Sequence, residues 1–123
     1  MNGKKNDLEE RLIEYAVSII KFVEKLPFSK SASHLGGQLL RSGTSPSLNY
    51  GEAKSAESRN DFVHKMKICL KELRESHNCL RIMHRANIHR TEQEVLDLIQ
   101  ESHELICIFV KSILTAQKTK AGS

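Results

Sequence analysis

The sequence has no tryptophan, two prolines and two tyrosines, and aromatic residues make up only 5% of its 123 positions. A β-sandwich draws its core from aromatic and β-branched strands, so this scarcity disfavours one, and the rarity of proline leaves room for long helices. Long apolar runs are missing too. The longest uncharged one, Leu105 to Val110, falls far short of the roughly 20 residues that cross a bilayer, so no membrane span is expected. The polar start, Met1 to Asp7, offers no apolar signal core, and a cytoplasmic location is the simplest expectation. Cys69, Cys79 and Cys107 form an odd set without a C-x-x-C pair, all within apolar helical patterns. They are expected to be buried free thiols of a reducing compartment; Cys69 and Cys79, about 15 Å apart along one helix, cannot bridge.

What is present is helical rhythm. Leu8, Leu12, Tyr15, Ile19, Phe22 and Leu26 recur at steps of 3 and 4, and Pro27 ends that run because the residue before proline is pushed out of the α region. Asn6 or Asp7 can cap its start. Phe62, Met66, Cys69, Leu73, Ser76, Leu80 and Met83 repeat the rhythm behind a capping box of Ser58 and Asp61. Val95, Ile99, Ser102, Ile106, Phe109 and Ile113 repeat it again behind Thr91 and Glu94. The intervening segment is ambiguous: Leu35, Leu39, Leu40 and Leu48 keep a helical spacing while Gly36, Gly37, Gly43 and Pro46 lower helix propensity. It reads as a helix kinked near Pro46, with Ser45 able to re-cap a second piece, and its small residues from Arg41 to Ser45 would let a neighbouring helix approach closely.

The spacing thus predicts helices over about 7–25, 31–54, 58–86 and 91–117 with frayed ends, in one domain spanning 1–123. Short connections favour antiparallel neighbours crossing near about 20°, which makes the expected fold all-α, an antiparallel up-and-down four-helix bundle.

Chemistry is hard to find in this pattern. A di-iron bundle needs Glu-x-x-His, but Glu75 and His77, like Glu101 and His103, are two apart and do not share a face. None of the six histidines forms H-E-x-x-H or an i, i+4 pair, so no metal and no cofactor is expected. Gly36-Gly37 lacks the strand and the G-K-[ST] or G-x-G-x-x-G of a phosphate loop, and no base accompanies the hydroxyls of Ser42 to Ser47. No enzyme is expected. Ser42, Ser45, Asn49 and Glu52 share one face of the second segment. They are an ordinary solvated face, an internal polar cluster that fixes its register, or a ligand site.

Charge is more telling. Between Lys54 and Arg90 nine Lys or Arg stand against four Asp or Glu, a net of +5, whereas residues 1–53 carry +1 and residues 91–123 carry −2. With Met66, Leu73 and Leu80 inward, Lys67, Arg74 and Arg81 follow one position later and Lys71 and Arg85 fall on the adjoining outer row. Such a stripe suits phosphate-backbone binding; it is equally an ordinary outer helix face, with Glu72 and Glu75 near Lys71 to form surface pairs. No aromatic is interleaved with the cations, which argues against a base-stacking platform. Ile68 and Ile82 share an outward heptad position. They suggest a subunit contact, unless the second helix covers them.

The runs Gln38 to Ser45, Asn49 to Ala53 and Ser55 to Ser58, then Asp61-Phe62, Lys65 to Ile68 and Lys71-Glu72, resemble a known family over roughly Leu8 to Leu114. It is that of the four-helix-bundle proteins encoded in intervening sequences of bacterial 23S ribosomal RNA genes. The resemblance implies a bundle without catalytic residues that assembles as a ring-like homopentamer. It also implies a relation to the accessory protein of diversity-generating retroelements, which binds reverse transcriptase and nucleic acid. Pro46 stands where many relatives carry an aliphatic residue. Two functions remain in play: an oligomeric scaffold that binds RNA or DNA through Lys67, Lys71, Arg74, Arg81 and Arg85, and an adaptor that docks a partner protein through Ile68 and Ile82.

Overall fold

The computed structural model describes residues 7–122, with side chains from 8 to 118. Four helices follow one another: α1 (Asp7–Glu24), α2 (Lys30–Lys54), α3 (Arg59–Arg85) and α4 (Glu92–Gly122). Consecutive helices pack on each other and α4 closes back on α1, so the four form a bundle, as the heptad rhythm predicts. No strand occurs among the described residues.

The helix ends show how local chemistry sets the boundaries. Of the two expected α1 caps, Asn6 lies outside the described residues and Asp7 is the first helical residue. After α1 stops short of Pro27, Ser29 caps α2 from an extended backbone, its Oγ accepting from Ala32 N at 3.0 Å. Ser58 does the same for α3, accepting from Asp61 N at 3.0 Å. The second expected capping box is not closed by its acid: Glu94 pairs with Lys25 Nζ at 2.8 Å, tying the start of α4 to the end of α1. The end of α3 uses asparagine as a left-handed cap. Asn87 has φ 58°, Ile88 N donates to Met83 O at 2.8 Å and Asn87 N donates to His84 O at 3.2 Å, the paired bonds that satisfy the last free carbonyls. At the far end α4 continues past Gln117 to Gly122.

α2 is continuous through Pro46, so Ser45 does not start a second piece. Proline has no N–H for the carbonyl of Ser42, and Pro46 is buried, its own carbonyl accepting from Cys69 Sγ of α3 at 3.6 Å. Two glycines explain why a helix of poor propensity forms here. A Cβ on Gly43 would lie 2.8 Å and 2.9 Å from the two γ carbons of Ile19, and one on Gly36 would lie 3.1 Å from Leu26 Cδ1. Both positions let α1 come close, and the burial gained offsets the propensity lost.

The core draws Leu12, Tyr15, Ile19 and Phe22 from α1, Leu39 from α2 and Met66, Leu73, Leu80 and Met83 from α3, all positions of the expected rows; on α4 Val95, Phe109 and Ile113 are buried as expected, but Leu98 and Leu105 take the inner places expected of Ile99 and Ile106, which are only partly buried. Three serines are buried with them, Ser42, Ser76 and Ser102. Each returns its hydroxyl proton to a carbonyl of its own helix, at Gln38, Leu73 and Ile99 respectively, 2.9 Å away in every case.

Candidate nucleic-acid interface

Because Met66, Leu73 and Leu80 point inward, the residues one and five positions later on α3 must point out, and Lys67, Lys71, Arg74, Arg81 and Arg85 are all exposed. None of the five makes an ion pair among the described residues. The acids expected to pair with Lys71 are held elsewhere: Arg41 of α2 reaches Glu72 at 2.7 Å through Nη1 and Glu75 through Nη2. Sequence reasoning missed Arg41 as a component of this surface. Hydrogen bonding to Glu75 and Glu72 raises the guanidinium pKa further, and the two carboxylates meet a cation on their α2 side.

The two isoleucines separate. Ile82 is 54% exposed and lines the α2–α3 seam, whereas Ile68 is half-buried on a stretch of α3 that α2 flanks, with Lys65 paired to Glu52 and Cys69 bonded to Pro46. Of the polar set on α2, the structure joins only two members: Asn49 Nδ2 donates to Ser45 Oγ at 2.9 Å and to Ser45 O at 3.1 Å. Ser42 is buried and satisfied by Gln38 O, while Glu52 is exposed and turned to Lys65 at 3.2 Å.

A different polar cluster sits inside. Tyr15 is buried on α1, and its hydroxyl lies 2.7 Å from Ser76 Oγ of α3. Since Ser76 spends its proton on Leu73 O, Tyr15 is the donor. Ser102 of α4 likewise spends its proton on Ile99 O and receives one from His77 Nδ1 at 2.8 Å, which fixes the His77 tautomer and leaves Nε2 as the acceptor. Burial pushes the Tyr15 phenol up to about 12, and burial together with Arg81 pushes His77 below its ordinary value. The sequence signal was a serine on two heptad core rows, at 76 and 102.

These groups hold hydrogen bonds but form no nucleophile. Burial raises the Cys69 thiol to about 12 and the Cys79 thiol to about 11, so both stay protonated, donating to Pro46 O and to Leu35 O at 3.5 Å. Cys107 corrects the expectation of three buried thiols. It is exposed, because the inward row of α4 runs through Ser102, Leu105 and Phe109, and its Sγ lies 3.8 Å from His103 Nε2. Among the described residues no three His, Cys, Asp or Glu side chains come together in a way that could hold a metal ion, and no helix is long and apolar enough to cross a membrane.

Four amphipathic helices around a core pinned by buried hydroxyls, with a row of cations outside that has no acid partner among the described residues, define a small all-helical bundle. The chain belongs to the family of 23S rRNA-intervening sequence proteins, whose sequence profile matches residues 4–111. It is similar to a protein of unknown function from the S23 ribosomal protein family of Bacteroides thetaiotaomicron, solved by crystallography at 1.70 Å: identity is 29%, the TM-score is 0.74, and the match covers 86% of this chain and 97% of that one. No curated protein matches the sequence.

Proposed function

We propose that this chain is a non-enzymatic, oligomeric scaffold of the cytoplasm that binds nucleic acid, RNA in the first place, through the outer face of α3. The observation that carries the reading is the row Lys67, Lys71, Arg74, Arg81 and Arg85, exposed and without acid partners among the described residues, beside two carboxylates engaged by Arg41. A cation already paired would have to break that pair to meet a phosphate; an unpaired one releases the phosphate's counterions at no such cost. The family's name links it to the intervening sequences of 23S rRNA, which supports RNA as the first ligand to try.

Filter binding with a structured RNA tests this. Affinity should fall steeply with salt, and the double variant Lys71→Glu, Arg74→Glu should bind more weakly with a shallower salt slope. Salt-independent binding, or none, rejects the reading. The second reading, a protein-docking adaptor, is supported by Ile82, which remains half exposed at the α2–α3 seam. It predicts that Ile82→Asp abolishes capture of a partner protein while RNA binding persists. Self-association is tested separately by a solution mass measurement, in which a monomer at micromolar concentration would remove the oligomeric part of the proposal.

A further inference from the structure

Antiparallel packing brings two loops to one end of the bundle, that between α1 and α2 and that between α3 and α4. They are physically joined: Arg90 Nε donates to Lys25 O at 2.9 Å, and Lys25 pairs with Glu94. At this end Phe28 is fully exposed, with a relative exposure of 105%, the highest of any large apolar side chain described. Leaving a phenyl ring wholly in water forgoes about 2 kcal/mol of burial, so an isolated exposed ring beside a cleft is a feature to account for.

The cleft beside the ring has a volume of about 310 Å³ and is open to solvent, at the lower end of the range for small-molecule sites. Its lining includes Phe28, Pro27, Glu24, Ser29, Ser33 and Gly37. A Cβ at Gly37 would meet nothing within 4 Å, so the floor on that side is bare backbone. Around this end the acids Glu92 and Glu94 are paired with His84 and Lys25, while Lys30, Arg85 and Arg90 are exposed and have no acid partner among the described residues. Arg90 uses only Nε to hold the Lys25 carbonyl.

We propose that this loop end is a single-stranded nucleic-acid site, in which an unpaired base stacks on Phe28 and the flanking phosphates are met by Lys30, Arg85 and Arg90. The inference rests on the nucleic-acid reading above and adds to it the kind of strand and the place of contact. An exposed ring among unpaired cations is the combination that binds single strands without regard to sequence, the ring taking a base face and the cations the backbone. A duplex keeps its base faces stacked inside and cannot use the ring. Glu24 repels phosphate, but its carboxylate accepts from the exocyclic amino or ring N–H groups of a base lying in the cleft. Arg81 and Arg85, at the end of the α3 row, lead from the side of the bundle toward this end.

The chain has no tryptophan, so Phe28→Trp installs a single indole reporter at the site itself. Titration of that variant with a short oligouridylate should quench the indole saturably, and a blunt RNA duplex should not. Phe28→Ala touches no core contact and folds; it should weaken oligouridylate binding about tenfold (about 1.4 kcal/mol) and leave the salt slope unchanged. Lys30→Gln should instead lower the slope of log affinity against log salt by about 0.7. If the wild-type chain binds RNA but Phe28→Ala and Lys30→Gln bind oligouridylate unchanged, the loop site is refuted while the α3 reading stands. If the wild-type chain binds neither oligouridylate nor duplex, both fall. Quenching by anionic lipid vesicles or by self-association, with none by oligouridylate, also overturns the site.

Discussion

Adding one methyl group at each of three glycines of α2 separates helix propensity from close packing within a single helix. At Gly43 the new carbon would sit 2.8 Å and 2.9 Å from the γ carbons of Ile19 and 3.2 Å from its Cβ. Ile19 is wholly buried and branched at Cβ, so it cannot swing away, and α1 or α2 must shift. Overpacking of this kind costs about 1–3 kcal/mol, against which alanine returns about 1 kcal/mol of helix propensity. The net expectation for Gly43→Ala is a loss of up to about 2 kcal/mol. At Gly37 and Gly51 the added carbon meets nothing within 4 Å, so Gly37→Ala and Gly51→Ala should each gain about 0.5–1 kcal/mol. Urea unfolding followed by helical circular dichroism measures the series, and the gap between the two kinds of site, up to about 3 kcal/mol, is its signal. Ile19→Ala removes both γ carbons, so Gly43→Ala should cost less in that background and the double variant should lose less than the two single losses added together. Should Gly43→Ala prove as stabilising as Gly37→Ala, the close α1–α2 contact does not exist and the account of α2 fails.

Tyr15→Phe removes the donor to Ser76 and should destabilise by about 1 kcal/mol, whereas Ser76→Ala strands the buried phenol and should cost about 1–3 kcal/mol; thermal unfolding ranks the two. Alkaline titration at 295 nm should find neither tyrosine ionising at its ordinary value, since burial raises both, with Tyr15 at about 12. The neutral phenol is favoured by the fold, so stability is complete below the ordinary tyrosine pKa and is lost as pH rises above it. His77 carries the opposite sign: its lowered pKa means protonation favours the unfolded chain, so stability should fall as pH drops below about 6.5, and His77→Gln should flatten that fall in denaturant titrations. A disulfide exchange reagent should find one fast thiol per chain, Cys107, with Cys69 and Cys79 reacting only on unfolding; two or more fast thiols would contradict the burial described. Arg41→Ala frees Glu72 and Glu75 beside Lys71 and should weaken RNA binding by about two- to fivefold in filter assays.

Heptad spacing makes α1 and α3 readable, since a core row repeated over many turns leaves one orientation for each helix and so also fixes which cations face out; on α4 apolar neighbours at 98 and 99 and at 105 and 106 leave the row open by one position, and the leucines take it. α2 is harder because the quantity that decides it is not local. Propensity counts Gly36 and Gly43 as liabilities, and only the distances to Ile19 on α1 and to Leu26 just beyond its end turn them into contacts. Arg41 escaped notice for the same reason, its partner Glu72 being 31 positions away. Phe28 was passed over because a proline-flanked loop has no periodicity to say whether its ring is in or out. Ser42, Ser45, Asn49 and Glu52 do share a face by spacing, but side-chain reach sends Ser42 to its own helix and Glu52 across to Lys65.

α1 touches α4 along the thinnest of the four seams, where Arg11 bridges to Glu101 at 2.6 Å and to Glu104 at 3.2 Å from the rim. Apolar side chains alone hold the register of α1 weakly, because Leu12 and Ile19 stand seven residues apart and Ile19 would meet an apolar place again after a shift of about 10.5 Å, two helical turns. The phenol of Tyr15 does not permit that slip. Displaced along the bundle it loses Ser76 and lies buried with an unmet proton, so the adhesive residues of α1 say how firmly it binds, while one hydroxyl and the notch at Gly43 say where.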